Sequence, residues 1–225
     1  MLKADFHLHA GEDKEDRIRY SAKDLVRLAS KKDYEILSFT FHNQFFYTKE
    51  IRDFAKYKNI LLIPGTELTI EKKHVLVNGI NELPNIKNLQ DLEKIKDYVI
   101  TAPHPFFPSR NALGNLAEKY IKLFDNVEFT ARYHPIINFN KKAVMLAKKY
   151  NKPLLGNSDA HSFNYFGYTH TLVDCNKTVD SVLDALKKKK FSCQKIPLPL
   201  KWLAIAGVKN VYHEYFLDKR ESDKI

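Results

Sequence analysis

Short apolar segments of strand length alternate with amphipathic segments of helix length along this 225-residue chain, and most of the short ones end on a histidine or an acid. Segments 2–8, 36–40, 60–63, 99–102, 127–129, 154–156 and 169–173 read as strands. Segments 22–32, 48–58, 89–97, 112–124, 141–150 and 179–189 read as helices, the first with Ser21 as its N-cap. Two further apolar stretches, 68–70 and 74–80, read as a β excursion for which Asn78-Gly79 supplies turn chemistry. Alternation of this kind implies parallel pairing through right-handed crossovers. Six or seven such units in this length predict a single β/α barrel rather than an open sheet, with chemistry at the C-terminal ends of the strands. No repeat, low-complexity linker or internal boundary interrupts the pattern. The reading is a barrel domain over 1–195 and a C-terminal extension over 196–225, packed on the barrel or at a subunit contact.

The side chains at those strand ends are of one chemical kind. His7 and His9 close the first strand, His42 follows the second, Glu67 the third, and His104, Asp159 and His161 follow later ones, while His74 opens the run 75–77. Imidazole and carboxylate are the preferred ligands of zinc, manganese and iron. A His-x-His pair on a strand points both rings to one face, because the side-chain period there is 2. A lone histidine is usually structural, so the ordered set is what predicts a metal centre. Glu128, inside the strand 127–129, is expected to orient a ligand from behind. Arg110 and Arg132 sit on loops at the same rim, with Arg17 and Arg19 as further cations. Each reads either as a bidentate phosphate clamp or as a surface ion pair. His134 reads as a proton donor to a leaving group or as a loop-packing residue; His170 and His213 receive no role.

Composition narrows the partners. Thirty-seven Lys and Arg against 27 Asp and Glu leave a formal charge of +10, which favours anionic partners, whether a phosphorylated metabolite or a nucleic acid, or else lies on solvated faces. No stretch approaches the roughly 20 apolar residues of a membrane span. The first residues enter a strand without the basic and apolar regions of a signal peptide, and Cys175 and Cys193 are too few for a disulfide framework. The expected location is cytoplasmic.

Taken in order, Asp5-Phe6-His7-Leu8-His9, Phe39-Thr40-Phe41-His42-Asn43, Gly65-Thr66-Glu67, His74-Val75-Leu76, Ala102-Pro103-His104-Pro105 and Asn157-Ser158-Asp159-Ala160-His161 resemble the PHP family, the "polymerase and histidinol phosphatase" domain of phosphoesterases. The resemblance covers residues 4–173. It implies a distorted (β/α)7 TIM-like barrel and two or three divalent metal ions (Zn, Mn or Fe). By that resemblance His7, His9, Glu67 and Asp159 hold the first metal, and Glu67 bridges to a second completed by His74 and His104. His42 and His161 hold a third with an acid from the loop after His9; Asp16 is favoured, with Asp13 and Glu12 behind it. Many members carry Asp before the histidine at position 42, where this chain has Phe41.

The expected activity is metal-dependent hydrolysis of a small metabolite's phosphate ester (a nucleotide, sugar or amino-alcohol phosphate). Metal-bound hydroxide is the nucleophile, charge being absorbed by metals and nearby cations. Glu67, His161, Arg110, Arg132 and His134 are the candidate catalytic side chains. The alternative is a metal-dependent nuclease or repair factor acting on nucleic acid, which the +10 charge favours. Two aromatic runs near the rim, 45–47 and 106–107, read either as stacking surfaces for a planar group or as packing over the barrel top.

Overall fold

The computed structural model describes residues 1–205. Ten strands and five α-helices follow one another as β1 (Leu2–Leu8), α1 (Ala22–Ser30), β2 (Ile36–Phe39), α2 (Lys49–Tyr57), β3 (Leu61–Leu62), β4 (Gly65–Ile70), β5 (Lys73–Asn78), β6 (Val99–Ala102), α3 (Leu116–Lys119), β7 (Asn126–Thr130), α4 (Lys141–Lys149), β8 (Leu154–Asn157), β9 (His170–Val173), α5 (Val179–Lys187) and β10 (Phe191–Gln194). Two 3-10 helices, Leu89–Ile95 and Ile121–Leu123, replace parts of the expected helices 89–97 and 112–124. Helix α1 starts as its sequence dictates: Ser21 and Asp24 form a reciprocal capping box, and Leu25, Val26 and Ala29 turn inward.

The expectation of a single closed barrel is not met among the described residues. The strands form two mixed five-stranded sheets, ordered β10-β9-β1-β2-β3 and β4-β5-β6-β7-β8. A regular barrel needs a helix after every strand, and this chain omits it at three places. β3 passes straight to β4, β4 turns back into β5 as an antiparallel hairpin, and β8 leads to β9 without a helix. Glu71 and Lys72 form the hairpin turn with φ of 50° and 63°, the left-handed pair of a type I′ turn. Asn78-Gly79 instead ends β5, so the excursion is present but its turn lies seven residues earlier than its chemistry suggested. β9 runs antiparallel to β1, and β10, unforeseen in the sequence, runs antiparallel to β9.

Polar side chains close the seams that strand pairing leaves open. Between β8 and β9, the Gly156 N–H donates to Thr171 Oγ1 (3.0 Å), whose hydroxyl donates back to the Gly156 carbonyl (2.9 Å). Between β1 and β8, Phe6 N–H donates to Asn157 Oδ1 (2.9 Å) and Ser158 N–H to the Asp5 carboxyl (3.1 Å). At the other seam Asn78 Nδ2 donates to Ser38 Oγ (2.9 Å); a Cβ at Gly65 would lie 2.6 Å from that oxygen, so only glycine allows the approach. Isolated bridges Leu8–Ala160 and His42–Glu67 tie the sheets at the end where the ligand-type residues collect.

Apolar side chains fill the space behind this framework in three main clusters. One joins β5, β6, α3 and α4, a second joins β1, β2, α1 and α2, and a third joins β1, β9 and α5. Beyond β10, Leu198 and Leu203 are buried against Tyr165, with Trp202 partly covering them. The remainder of the expected extension, including His213 and the charged end 218–225, lies outside the described residues. Cys175 and Cys193 are free thiols. No described helix is long and apolar enough to cross a membrane.

The Thr171 seam can be tested directly. Thr171→Val keeps the shape and removes both bonds to Gly156, leaving two buried backbone groups unpaired. Urea unfolding is expected to show a loss of about 1–3 kcal/mol; a loss below about 0.5 kcal/mol would mean the seam does not depend on this hydroxyl.

Candidate metal centre

Strand geometry brings the ligand-type residues together around one carboxylate. His7 and His9 lie two residues apart at the end of β1, so both rings reach the same face. Glu67, in β4, is 1% exposed. Its Oε2 lies 3.1 Å from His7 Nε2, 3.3 Å from His9 Nε2 and 3.3 Å from His42 Nε2. Its Oε1 lies 3.0 Å from His74 Nδ1 and 3.1 Å from His104 Nε2. Five imidazoles thus meet the two oxygens of one buried side chain. Asp159 approaches from the β8 end, Oδ1 standing 3.6 Å from His7 Nε2, 3.8 Å from His9 Nε2 and 3.3 Å from His161 Nδ1.

A third corner forms from the loop after β1. Asp16 Oδ2 lies 3.1 Å from His161 Nε2 and 3.5 Å from His42 Nδ1. Asp13, ranked behind Asp16 in sequence, is buried in the same corner, its Oδ2 2.9 Å from His9 Nδ1 and 3.0 Å from His42 Nδ1. It also accepts the His42 backbone N–H at 3.0 Å. The carboxylate that accepts from His42 thus comes from the loop after β1, while Phe41 stacks on Phe46 in the core. Glu12 turns away and accepts the Ala22 N–H at the start of α1 (2.9 Å). The signal for Asp13 in the sequence was its place four residues after His9, which the acid-rich loop obscured.

Supporting residues fix ring orientation. Glu128 Oε1 accepts from His7 Nδ1 (2.8 Å) and from Asn157 Nδ2 (2.9 Å), so His7 turns Nε2 to the cluster. Glu128 Oε2 accepts the His104 N–H at 2.7 Å. That bond helps hold His104 at a φ of 27°, a strained value for a side chain with a Cβ; Asp159 is similarly left-handed at 48°. Arg132 Nη2 reaches Asp159 Oδ2 (3.0 Å) and His161 Nδ1 (3.1 Å), and its guanidinium lies over the Phe107 ring. Arg110 lends its carbonyl to Lys73 Nζ (2.6 Å), and His134 turns into its own loop, Nδ1 accepting from Ile136 N–H (3.3 Å).

Burial disfavours every charge here, and the neighbours decide which survive. Around His42 burial is outweighed by the Asp13 hydrogen bond and the Glu67 and Asp16 charges, which raise it to about 9. At His161 burial is likewise outweighed, by Asp16 and Asp159, with a rise to about 10. His7 rises well above its ordinary value as Glu67, Glu128 and Asp159 overcome its burial. Despite their burial, His74 and His7 hold Glu67, and Arg132 with His7 and His161 holds Asp159, well below the carboxylate range. Asp5 is the exception: desolvation dominates and carries it to about 7. His74 falls, because burial outweighs its Glu67 contact.

The residues fit divalent cations. Four groups have donor atoms converging within 4.8 Å: His7, Glu67 and His104; His7, His9 and Asp159; His42, Glu67 and His74; and His9, Asp13, Asp16 and His42. Asp159 Oδ1, Asp16 Oδ2 and His74 Nδ1 are buried ligand-type atoms that lie 3.0 to 3.3 Å from neighbouring ligand-type atoms without the alignment of a hydrogen bond. The Nε2 atoms of His7 and His9 approach to 3.1 Å. Donor separations near 3.3 Å are what bonds of about 2.0–2.1 Å at tetrahedral angles require. All the donors are imidazole nitrogen or carboxylate oxygen, a set suited to zinc, manganese or iron.

The PHP-associated family matches residues 138–191. An uncharacterized protein of Methanocaldococcus jannaschii is 27% identical over 146 residues, covering 59% of this chain and 84% of that protein. Among solved structures, PsfC from Pseudomonas syringae aligns over 95% of this chain and 98% of its own, at a TM-score of 0.64 and 16% identity. A candidate metal-dependent phosphoesterase from Bifidobacterium adolescentis gives 0.55 at 13% identity over 71% of this chain and 87% of that one. The lesion-specific endonuclease PfuEndoQ from Pyrococcus furiosus gives 0.56 at 15% identity, over 85% of this chain and 57% of the endonuclease.

The charge pattern sets the pH response of the metal-free protein. His42 and His161 are raised, so their contribution is complete below about pH 6.5, the unfolded value, and is lost as pH climbs through about 9 to 10. Asp5 acts in the same direction at lower pH, and His74 opposes. Melting temperature of the chelator-treated protein is expected to fall between pH 6.5 and 9.5 and to recover on adding zinc or manganese. A flat or rising profile would contradict the electrostatic picture.

Proposed function

We propose that this PHP-domain chain is a metal-dependent phosphoester hydrolase whose substrate is a small phosphorylated metabolite. The observation that carries the reading is the convergence of five imidazoles on the buried Glu67 carboxylate, with Asp159, Asp13 and Asp16 completing the donor set.

In this reading His7, His9, Glu67 and Asp159 would hold one ion, Glu67 with His74 and His104 a second, and His42, His161 and Asp16 a third. Divalent ions at these positions supply Lewis acidity, activating water and neutralising charge on a phosphoryl oxygen. The chain's own residues do the rest. Glu128 fixes the His7 ring and the His104 backbone; Asp13 fixes the His9 ring and the His42 backbone. Arg132 holds Asp159 and His161 in place. Burial of His7, His9, Glu67 and Asp159 keeps bulk water from that part of the set and strengthens these interactions, while His42, Asp16 and His161 line its open side. Arg110 and His134 remain proposals as clamp and proton donor from neighbouring loops.

Charge placement favours a small substrate over nucleic acid. In the loops 9–21, 40–48, 71–73, 103–115, 131–140 and 158–169, which follow the site-bearing strands, Lys14, Arg17, Arg19, Lys72, Lys73, Arg110 and Arg132 face Glu12, Asp13, Glu15, Asp16, Glu71 and Asp159, a surplus of one cation. The adjoining segment 195–205 adds Lys195 and Lys201. Most of the +10 therefore lies on other faces, much of it at helix ends such as Lys31-Lys32, Lys148-Lys149 and 187–190, where cations complement the dipole. A duplex or strand crossing the site would need that surplus at the mouth. The endonuclease reading keeps the support of the PfuEndoQ likeness in fold.

Phosphate release from a panel of phosphate monoesters, with manganese or zinc, tests the proposal. His9→Ala is expected to cut the rate by more than about 100-fold, and Arg132→Lys by about 10- to 100-fold through loss of the Asp159 hold. No turnover across metals and esters, alongside cleavage of DNA or RNA with a steep salt dependence, would favour the nuclease instead.

A further inference from the structure

The two aromatic runs beside the site have different fates. Phe45 and Phe106 pack against the β5–β7 core, and Phe46 and Tyr47 against the β1–β2 core. Phe107 stays at the mouth. Its ring covers the Arg132 guanidinium, 5.3 Å from the centroid, and meets Phe139 edge-on at 5.3 Å. Since Arg132 contacts Asp159 and His161, Phe107 stands one side chain from the ligand set. The apolar surface continues outward on the loop after β7, where Phe139 is 38%, Ile137 42% and Ile136 76% exposed. Single exposed apolar residues are ordinary; a group of them at the mouth of a polar site marks a binding surface.

We propose that Phe107 and Phe139 form the leaving-group subsite, and that the substrate is a phosphomonoester of an alcohol bearing an aryl or heteroaryl ring. This rests on the phosphoesterase reading above. The wall is continuous, through Arg132, with the place where the phosphoryl group would sit. An edge-to-face aromatic pair that leaves part of both rings open offers a planar group a third partner. In the reaction, the oxygen of water bonds to phosphorus and the ester P–O bond breaks. One water proton stays on the released phosphate and the other goes to the alcohol oxygen, which departs with the ring.

The test compares 2-phenylethyl phosphate with propyl phosphate, whose leaving alcohols are of similar acidity, on the metal-loaded protein. The ring ester is expected to have the higher kcat/KM by about 5- to 100-fold, the range that one stacking contact supplies. Phe139→Ala and Phe139→Leu are expected to bring that ratio toward one, the leucine variant keeping apolar volume but not planarity. A merely structural Phe139 would lower both values together, and an unchanged ratio would overturn the subsite. Turnover of both esters without preference would also overturn it, leaving the phosphoesterase reading intact. Turnover of neither, with metals retained, would bring down that reading and the subsite with it.

Discussion

One carboxylate surrounded by five imidazoles is the constraint on which the site depends. Glu67 is buried, and each of its oxygens is shared, Oε2 by His7, His9 and His42, Oε1 by His74 and His104. A buried charge is tolerated only when its surroundings return what water supplied. Without cations, protons must serve, and this is why His7, His42 and His161 are pushed upward while Glu67 and Asp159 are pushed down. Divalent ions would satisfy the same carboxylates with the rings neutral, so metal uptake and proton release are two sides of one equilibrium.

The framework and the site share residues. Asp5, Asn157 and Glu128 sit directly behind the ligands, and Asp5 and Asn157 also join β1 to β8 where no ladder runs. Asn78, Ser38 and Gly65 do the same at the other seam, just before Glu67. Two open sheets held by buried side-chain hydrogen bonds place their C-terminal ends close enough for ligands from both to meet. A fully paired barrel would fix those ends by backbone geometry; here the register across each gap is specified by particular polar side chains.

Much of this was legible in the sequence because metal ligands are few in kind and strand ends are easy to find. His7 and His9 announce a shared face by their spacing, and Glu67, His104 and Asp159 follow short apolar runs that cannot be helices. Asp13 was harder: four acids crowd the loop 12–16, and only the fold turns two of them inward and hands Glu12 to α1. The closed barrel was the wrong inference because parallel pairing was read from alternation alone. Nothing in Ile63-Pro64-Gly65 or in the 158–169 loop marks the missing helices strongly, and Glu71-Lys72 is an unusual pair for a left-handed turn. β10 escaped notice because Phe191–Gln194 lacks the apolar run of a buried strand; it is a half-buried edge.

The proposed site requires Glu67 to be shared between metal ions. Metal content by mass spectrometry of the reconstituted protein, beside Glu67→Ala, tests it most directly. A shared Glu67 gives two or three equivalents of zinc, manganese or iron in the wild-type protein and the loss of more than one in the variant. Retention of the full complement without Glu67, or no tightly held metal in the wild-type protein, would contradict it.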